Sequence, residues 1–151
     1  MWPEFRDSIA GLLGRRPETV VVATLEETDA IRARFSERMS APKERLNPEY
    51  VQIETVSQDA LLAAVESVKA RFPDVEMLLF REKSEFCGAV RVKSSELFDH
   101  FLALFELDGE DLVACTSDGA AGLFAAWWEE PNHPVISMAY AFRAWYSPSP
   151  P

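Results

Sequence analysis

The side chains best suited to catalysis or metal binding are few in this sequence. It contains two histidines, His100 and His133, and two cysteines, Cys87 and Cys115. A metal site built on histidine would therefore need carboxylate or cysteine ligands as well, and both cysteines fall in predicted strands, where a packed thiol is inert. The sequence lacks a Gly-rich phosphate loop, a Gly-x-Ser-x-Gly elbow, a Cys-x-x-Cys pair and a His-Glu-x-x-His motif. We therefore predict no metal, no cofactor and no catalytic residue, and favour a protein that is not an enzyme.

Two acidic motifs are explained more simply by local structure than by a catalytic or metal-binding role. Asp99 and His100 are adjacent in a predicted helix, where neighbouring side chains point about 100° apart. Both fall on its polar side, and His100 lies four residues after Glu96, so we interpret His100 as part of a solvated pair on the helix surface. The stretch Asp108-Gly-Glu-Asp111 offers carboxylates to calcium but lacks the alternating ligands and the closing glutamate of an EF-hand loop. We interpret it as the end of a helix followed by a turn.

One aromatic and acidic stretch, Trp127-Trp-Glu-Glu130, has the composition of a protein-binding site. Adjacent residues of a strand point to opposite faces, so the two indole rings cannot both enter a one-sided core. An interfacial tryptophan contributes strongly to binding, and surrounding charge raises the rate of encounter with an oppositely charged partner. Coverage by a helix or by the N-terminal segment would also account for the second ring. The predicted partner-binding residues are Trp127, Trp128, Glu129, Glu130, Asp108, Glu110 and Asp111.

A different set of charged residues supports an alternative hypothesis. Glu54, Glu76 and Arg91 lie on predicted strands and would line a concave sheet face if those strands were neighbours. Such a face would make the chain a small-molecule-binding domain or an enzyme. Charge pairing across neighbouring strands explains the same residues without a ligand.

The overall charge narrows the classes of partner. The formal net charge is −10, which disfavours binding to nucleic-acid phosphates. Residues 1–93 contain 14 basic and 16 acidic residues, whereas residues 94–151 contain nine acidic residues and one basic residue, Arg143. The acidity therefore belongs to the last third of the chain. We find no apolar run of about 18 residues and no secretory leader, so we expect no membrane association and a cytoplasmic location.

The spacing of apolar residues predicts the helices and strands that would position these residues. Tyr50–Val56 alternates as a half-buried strand, and Ser57 can cap a helix whose apolar stripe runs from Leu61 to Phe72. Val75–Phe80 and Phe86–Val92 then predict an antiparallel hairpin. The remaining predicted helices are an N-terminal helix over 2–13, a helix from Glu27 or Thr28, and a helix from Ser94 or Ser95 through Phe105. The remaining predicted strands are one over 19–25, a hairpin of 112–116 with 123–128 around Ser117-Asp-Gly119, and a last strand over 136–143.

This order of elements predicts an α+β fold. We expect a mainly antiparallel sheet of five to seven strands with helices packed chiefly on one face, and a strand-helix-strand crossover leaves mixed pairing open. Residues 1–146 are predicted to form a single domain. Within it, residues 1–40 form a helix-strand-helix part, residues 41–49 a linker-like loop, and residues 50–146 the central sheet and helices. Residues 147–151 read as a disordered Pro/Ser tail.

The leading functional hypothesis is a non-catalytic, acidic protein-interaction domain. Its basic partner would meet the tryptophans and carboxylates around residues 108–130, and an inhibitor or immunity-type protein that neutralises a basic enzyme is one concrete form. Besides the small-molecule alternative, a homodimeric structural protein is a third hypothesis, since an exposed indole and the terminal strands could pair between two copies.

Overall fold

A computed structural model describes residues 2–40, 49–55, 57–80, 89–107, 111–130 and 137–147, with only the backbone described at 2–5, 38–40, 49, 50, 130 and 137. Within these ranges the chain forms five α-helices and six strands. The helices are α1 (Trp2–Leu13), α2 (Leu25–Ser40), α3 (Gln58–Lys69), α4 (Ser94–Asp99) and α5 (Phe101–Glu106). The strands are β1 (Glu49–Thr55), β2 (Glu76–Phe80), β3 (Val90–Lys93), β4 (Leu112–Cys115), β5 (Gly122–Glu130) and β6 (Ser137–Tyr146).

The strands form one sheet in the order β1-β6-β5-β4-β2-β3. Every pairing between these strands is antiparallel, including that of β1 with β6. The predicted α+β class and antiparallel sheet are therefore confirmed, with six strands inside the expected range. The alternative of mixed pairing does not occur among the described strands.

The two faces of the sheet are covered unequally. One face, which we call the helix face, carries the main core beneath α1, α3, α4 and α5. The other face is covered by α2 over part of its area, around Leu78, Phe80, Cys115 and Trp145. Helices therefore pack chiefly on one face, as the one-sided alternation of the strands predicts.

Helix α3 follows directly from its sequence. Ser57 has extended backbone angles, and its hydroxyl oxygen accepts a hydrogen bond from the Ala60 amide at 3.2 Å. Leu61, Val65 and Val68 are buried on the stripe that faces the sheet. Burying side chains of this size stabilises the fold by about 1.5–3 kcal/mol each, so the cap fixes where the helix begins and the stripe fixes which side is buried.

Two predicted elements take a different form. The expected strand over 19–25 is reduced to an isolated bridge between Val22 and Val90. A 3₁₀ turn over Pro17–Thr19 precedes it, and Thr24 accepts a hydrogen bond from the Glu27 amide at the start of α2. These flanking turns leave only Val20 to Ala23 between them, and within that stretch the pairing with the sheet is limited to the Val22–Val90 bridge.

The expected single helix through Phe105 is instead two short helices that meet at His100. His100 has φ −115° and ψ 23°, outside the α-helical region. The break lets Phe98 pack edge-on against Phe72 at 5.1 Å between ring centroids. Phe101 packs against Phe142 at 6.1 Å. Both rings are buried in the core on the helix face.

The hairpin between β4 and β5 closes as predicted around Asp118 and Gly119. Gly119 has φ 73°, a conformation that side chains disfavour. The Asp118 carboxylate accepts hydrogen bonds from the Thr116 hydroxyl at 2.7 Å and the Ala120 amide at 3.0 Å. The buried Trp145 indole donates to the Gly119 carbonyl at 3.0 Å. This turn marks the end of the sheet opposite to the candidate site.

Candidate functional site

The candidate site lies at the end of the sheet where β5 ends and β6 begins. The register places Trp127 opposite Tyr140, and Tyr140 opposite Thr55 at the end of β1. The first residue of α3, Gln58, and the last residue of α5, Glu106, border the same region. We call this region the acidic end. Its described carboxylate residues are Glu54, Asp59, Glu106, Asp111 and Glu129.

The described segments at the acidic end contain acidic residues but no lysine or arginine. The segments that form it are 53–55, 57–60, 105–107, 111–112, 126–130 and 137–141, and none contains lysine or arginine. Arg143 lies next to this region along β6, opposite Gln52 and Phe124 on the other face from Trp127. The helix-face side of the acidic end therefore has a negative local charge, which attracts cations from solution.

A groove opens on the helix-face side of the acidic end. It has a volume of about 200 Å³ and is lined by Gln58, Phe105, Glu106, Trp127, Met138 and Tyr140. The Phe105 and Tyr140 rings lie 6.3 Å apart at an interplanar angle of 49°. The Gln58 side-chain amide donates a long hydrogen bond of 3.5 Å to a Glu106 carboxylate oxygen. The groove thus combines aromatic walls with one carboxylate and one amide.

The groove exists because the helices stop short of the end of the sheet. Ala125 and Phe142, which face the helices, are fully buried. Trp127 lies two residues beyond Ala125 on the same face, yet it is 38% exposed. Since α3 begins at Gln58 and α5 ends at Glu106, neither helix extends over the whole indole. A large aromatic side chain is thereby left at the surface beside carboxylates.

Trp128 lies on the opposite face from Trp127. It is opposite Ala139 in the register and is also 38% exposed. Glu129 shares the face of Trp127, two positions along the strand, at a separation of roughly 7 Å between Cα atoms. Glu130 belongs to β5, and its side chain is outside the described part. The structure therefore brings Trp127 together with Glu106 and Glu129, and separates both glutamates from Trp128 by the thickness of the sheet.

The predicted acidic turn is described only at its last residue. Asp111 is exposed and directly precedes β4, so it lies at the acidic end. Asp108 and Glu110 lie outside the described residues, as do Cys87, His133, residues 41–48 of the predicted linker and residues 148–151 of the predicted tail.

The structure does not bring together the three residues of the alternative ligand site. Glu54 lies on the edge strand β1, whereas Glu76 on β2 is four strands away, roughly 19 Å across the sheet. Arg91 instead forms ion pairs with Glu76, at 2.9 Å, and with Glu27 of α2. Its hydrogen bond to Glu27 is the main reason that the pKa of Arg91 is raised. These contacts tie α2 to the sheet and leave no shared site with Glu54.

The other titratable candidates also have structural partners or are buried. Asp99 pairs with Lys69 at 2.8 Å, and this hydrogen bond lowers the pKa of the Asp99 carboxyl. Cys115 is fully buried, which raises the pKa of its thiol to about 12. A thiol of this kind is a poor nucleophile near neutral pH. Over the described ranges, no three or more His, Cys, Asp or Glu side chains are grouped as metal ligands would be.

The pairing of β6 bears on the dimer hypothesis. This last strand is paired on both sides, by β1 and by β5. At the far edge of the sheet, the Ala23 amide donates to the Ala89 carbonyl and the Arg91 amide donates to the Val21 carbonyl. A dimer formed by strand pairing would therefore have to use β1 or the segment beside β3.

Sequence reasoning identified Trp127 and Glu129 but missed the rest of the groove. Phe105 was predicted only as part of the apolar stripe of a helix, and neither Gln58 nor Glu106 was singled out. Met138 and Tyr140 share a face with Trp127, which the alternation of β6 would have indicated once its register with β5 was known. The missing signal was thus the pairing of segments and not the type of any residue.

None of the described helices is long and apolar enough to span a lipid bilayer. No protein-family model matches this chain, and no curated protein or solved structure matches it significantly.

Proposed function

We propose that this chain is a non-catalytic interaction domain that binds a basic protein through its acidic end. The observation that carries the proposal is Trp127, a large apolar side chain left 38% exposed in a groove beside Glu106. Glu129 adds a second carboxylate on the same face. Tryptophan is enriched among the residues that dominate binding energies, and carboxylates around it would steer a cationic partner.

The asymmetric charge of the chain supports a basic partner over other macromolecules. Nine of the acidic residues fall in the last 58 residues with one arginine. Glu106 and Glu129 at the acidic end lie in described segments that contain no lysine or arginine. Phosphate-bearing partners would be repelled. An inhibitor or immunity-type protein that blocks a basic enzyme is the form of this function that fits an acidic, aromatic surface best.

The test begins with capture of proteins from a native lysate of the source cells on the tagged full chain. Bound proteins are released by stepwise increases in salt and identified by mass spectrometry, and a stoichiometric basic protein is then purified. Its affinity is measured by titration calorimetry against the wild type and two double variants of equal charge change. One is Glu106→Lys with Glu129→Lys at the acidic end, and the control is Glu18→Lys with Glu37→Lys, both exposed on other elements.

We expect the variant at the acidic end to lose roughly tenfold or more in affinity, because it places repulsive charge inside the contact. The control variant should lose much less, since long-range effects of net charge are screened at physiological salt. Equal losses for both variants would show that only net charge matters and would refute the proposed site. Unchanged affinity in both would place the contact elsewhere on the chain.

A further inference from the structure

The groove at the acidic end has features that select one kind of side chain from a partner. Its walls include the rings of Phe105, Trp127 and Tyr140, and its polar groups are the Glu106 carboxylate and the Gln58 amide. We infer that this groove receives an arginine side chain of the basic partner, held between the aromatic rings and the Glu106 carboxylate. This inference rests on the proposed function, because it names the residue type that the acidic end binds.

Charge complementarity favours a cation over an apolar side chain. Aromatic faces attract cations, with Trp the strongest of the three ring types. A carboxylate at the edge of an aromatic groove adds direct attraction to a positive group. An apolar side chain would gain contact with the rings but would also remove water from Glu106, whose described partner is the Gln58 amide at the long distance of 3.5 Å.

The shape of the available groups favours arginine over lysine. A guanidinium is planar, so it can stack on a ring while its N–H groups reach a carboxylate in the same plane. Phe105 is buried and packs against Tyr140 at 6.3 Å between ring centroids, so a guanidinium would stack on the more exposed Tyr140 and Trp127 and not between Phe105 and Tyr140. The Gln58 carbonyl oxygen is a further acceptor for a guanidinium that has five donors. The ammonium group of lysine is not planar and has three donors, so it would pair less completely with the Glu106 carboxylate and the Gln58 carbonyl oxygen.

The size of the groove favours a side chain over a free metabolite. Its volume of about 200 Å³ lies below the roughly 300–1,000 Å³ of pockets that enclose drug-sized ligands. The groove is also open to solvent at Trp127, which is 38% exposed. A single side chain extending from a protein surface would fill such a shallow site, while the rest of the partner would cover Trp127 and approach Glu129.

The experiment uses the full chain labelled with ¹⁵N and two matched probes, N-acetyl-arginine methylamide and N-acetyl-citrulline methylamide. Citrulline has nearly the same shape as arginine but no charge. The indole N–H signals of Trp127 and Trp128 are assigned with Trp127→Phe and Trp128→Phe. Because Trp128 has the same exposure on the opposite face, it serves as an internal control within the same strand.

We expect the arginine probe to shift the Trp127 indole signal in a saturable way and to leave the Trp128 signal in place. The citrulline probe should bind at least about fivefold more weakly. Glu106→Gln, an exposed change that keeps the size of the side chain, should weaken the arginine probe by about fivefold, near the upper limit for a solvent-exposed ion pair. Its fold is checked by the unchanged signals of the other indoles.

Three results would overturn the inference. They are equal shifts with both probes, equal shifts of Trp127 and Trp128, and no effect of Glu106→Gln on binding of the arginine probe. If any of these results is found while the variant with Glu106→Lys and Glu129→Lys still loses affinity for the protein partner, the groove does not bind arginine and the proposed function stands. If the arginine probe binds as expected but the variant with Glu106→Lys and Glu129→Lys keeps its full affinity for the partner, the groove is a guanidinium site and the proposed function is wrong.

Discussion

Replacement of Gly122 by alanine is expected to destabilise the fold strongly. Gly122 is the first residue of β5, the strand that carries Trp127. A Cβ atom at this position would lie 2.5 Å from Cζ2 of Trp145 and 2.9 Å from the Ala114 carbonyl oxygen. It would also lie 2.9 Å from Cβ of Cys115. Contacts this short require neighbouring atoms to move.

Neither main neighbour can move cheaply. The Trp145 ring is 1% exposed, and its indole N–H donates to the Gly119 carbonyl at 3.0 Å. Ala114 contributes a backbone atom of the central strand β4, which pairs with both β2 and β5. Overpacking of this kind typically costs about 1–3 kcal/mol. Since backbone and a hydrogen-bonded ring are both involved, we expect a loss near 3 kcal/mol in the free energy of unfolding.

Urea denaturation followed by circular dichroism measures this change. With a slope of about 2 kcal/mol per molar urea, the midpoint should fall by about 1.5 M. Gly11→Ala is the matched control, because Gly11 lies in α1 with nothing within 4 Å of an added Cβ. That change should stabilise the chain by about 0.5–1 kcal/mol, since alanine favours helices over glycine. A Gly122→Ala variant within about 0.5 kcal/mol of the wild type would refute the packing argument.

Two further predictions concern titratable side chains at the β4–β5 turn, Cys115 at the end of β4 and Asp118 within the turn. In a Cys87→Ser variant, Cys115 should react with a thiol reagent at least about a hundredfold faster after unfolding in urea than before, because burial raises its pKa to about 12; equal rates would contradict its burial. The Ala120 amide and the Thr116 hydroxyl hold the pKa of Asp118 below 3.8. Its charge therefore stabilises the fold above the unfolded pKa, and this contribution is lost as the pH falls through the lower folded pKa. We expect Asp118→Asn to cost less than about 1 kcal/mol near neutral pH, since the group is exposed, and the difference from the wild type to shrink in acid; a difference that grows in acid would contradict the pKa shift.

The sequence predicted correctly the elements whose ends are set by residues close to them in the chain. The cap at Ser57 and the stripe from Leu61 define α3, and the Asp118-Gly119 turn defines the β4–β5 hairpin. The strand over 19–25 was wrong because its β-branched residues lie between a proline turn and the Thr24 cap. The β-propensity of these residues does not show how few of them lie between the two turns.

The candidate site could be predicted only in part, because it depends on distant segments. Trp127 was identified from its type and position, but the groove needs the end of α5 and the start of α3 to meet the β5–β6 pair. The hypothesis that joined Glu54 with Arg91 assumed neighbouring strands. Their true separation follows from the order β1-β6-β5-β4-β2-β3, in which they occupy opposite edges. Strand order is set by the total packing of the chain, and no local pattern encodes it.

The pairing of β1 with β6 also constrains how the protein folds during synthesis. β6 is the only described strand that pairs with β1, and Thr55 lies opposite Tyr140. Roughly 85 further residues must therefore be translated before these two meet, which takes about 4–17 s at ordinary ribosomal rates. During this interval the backbone of β1 has no strand partner from the completed sheet. Met138 and Tyr140 are translated later than the other residues that line the groove, so binding competence should arise only after this segment has left the ribosome.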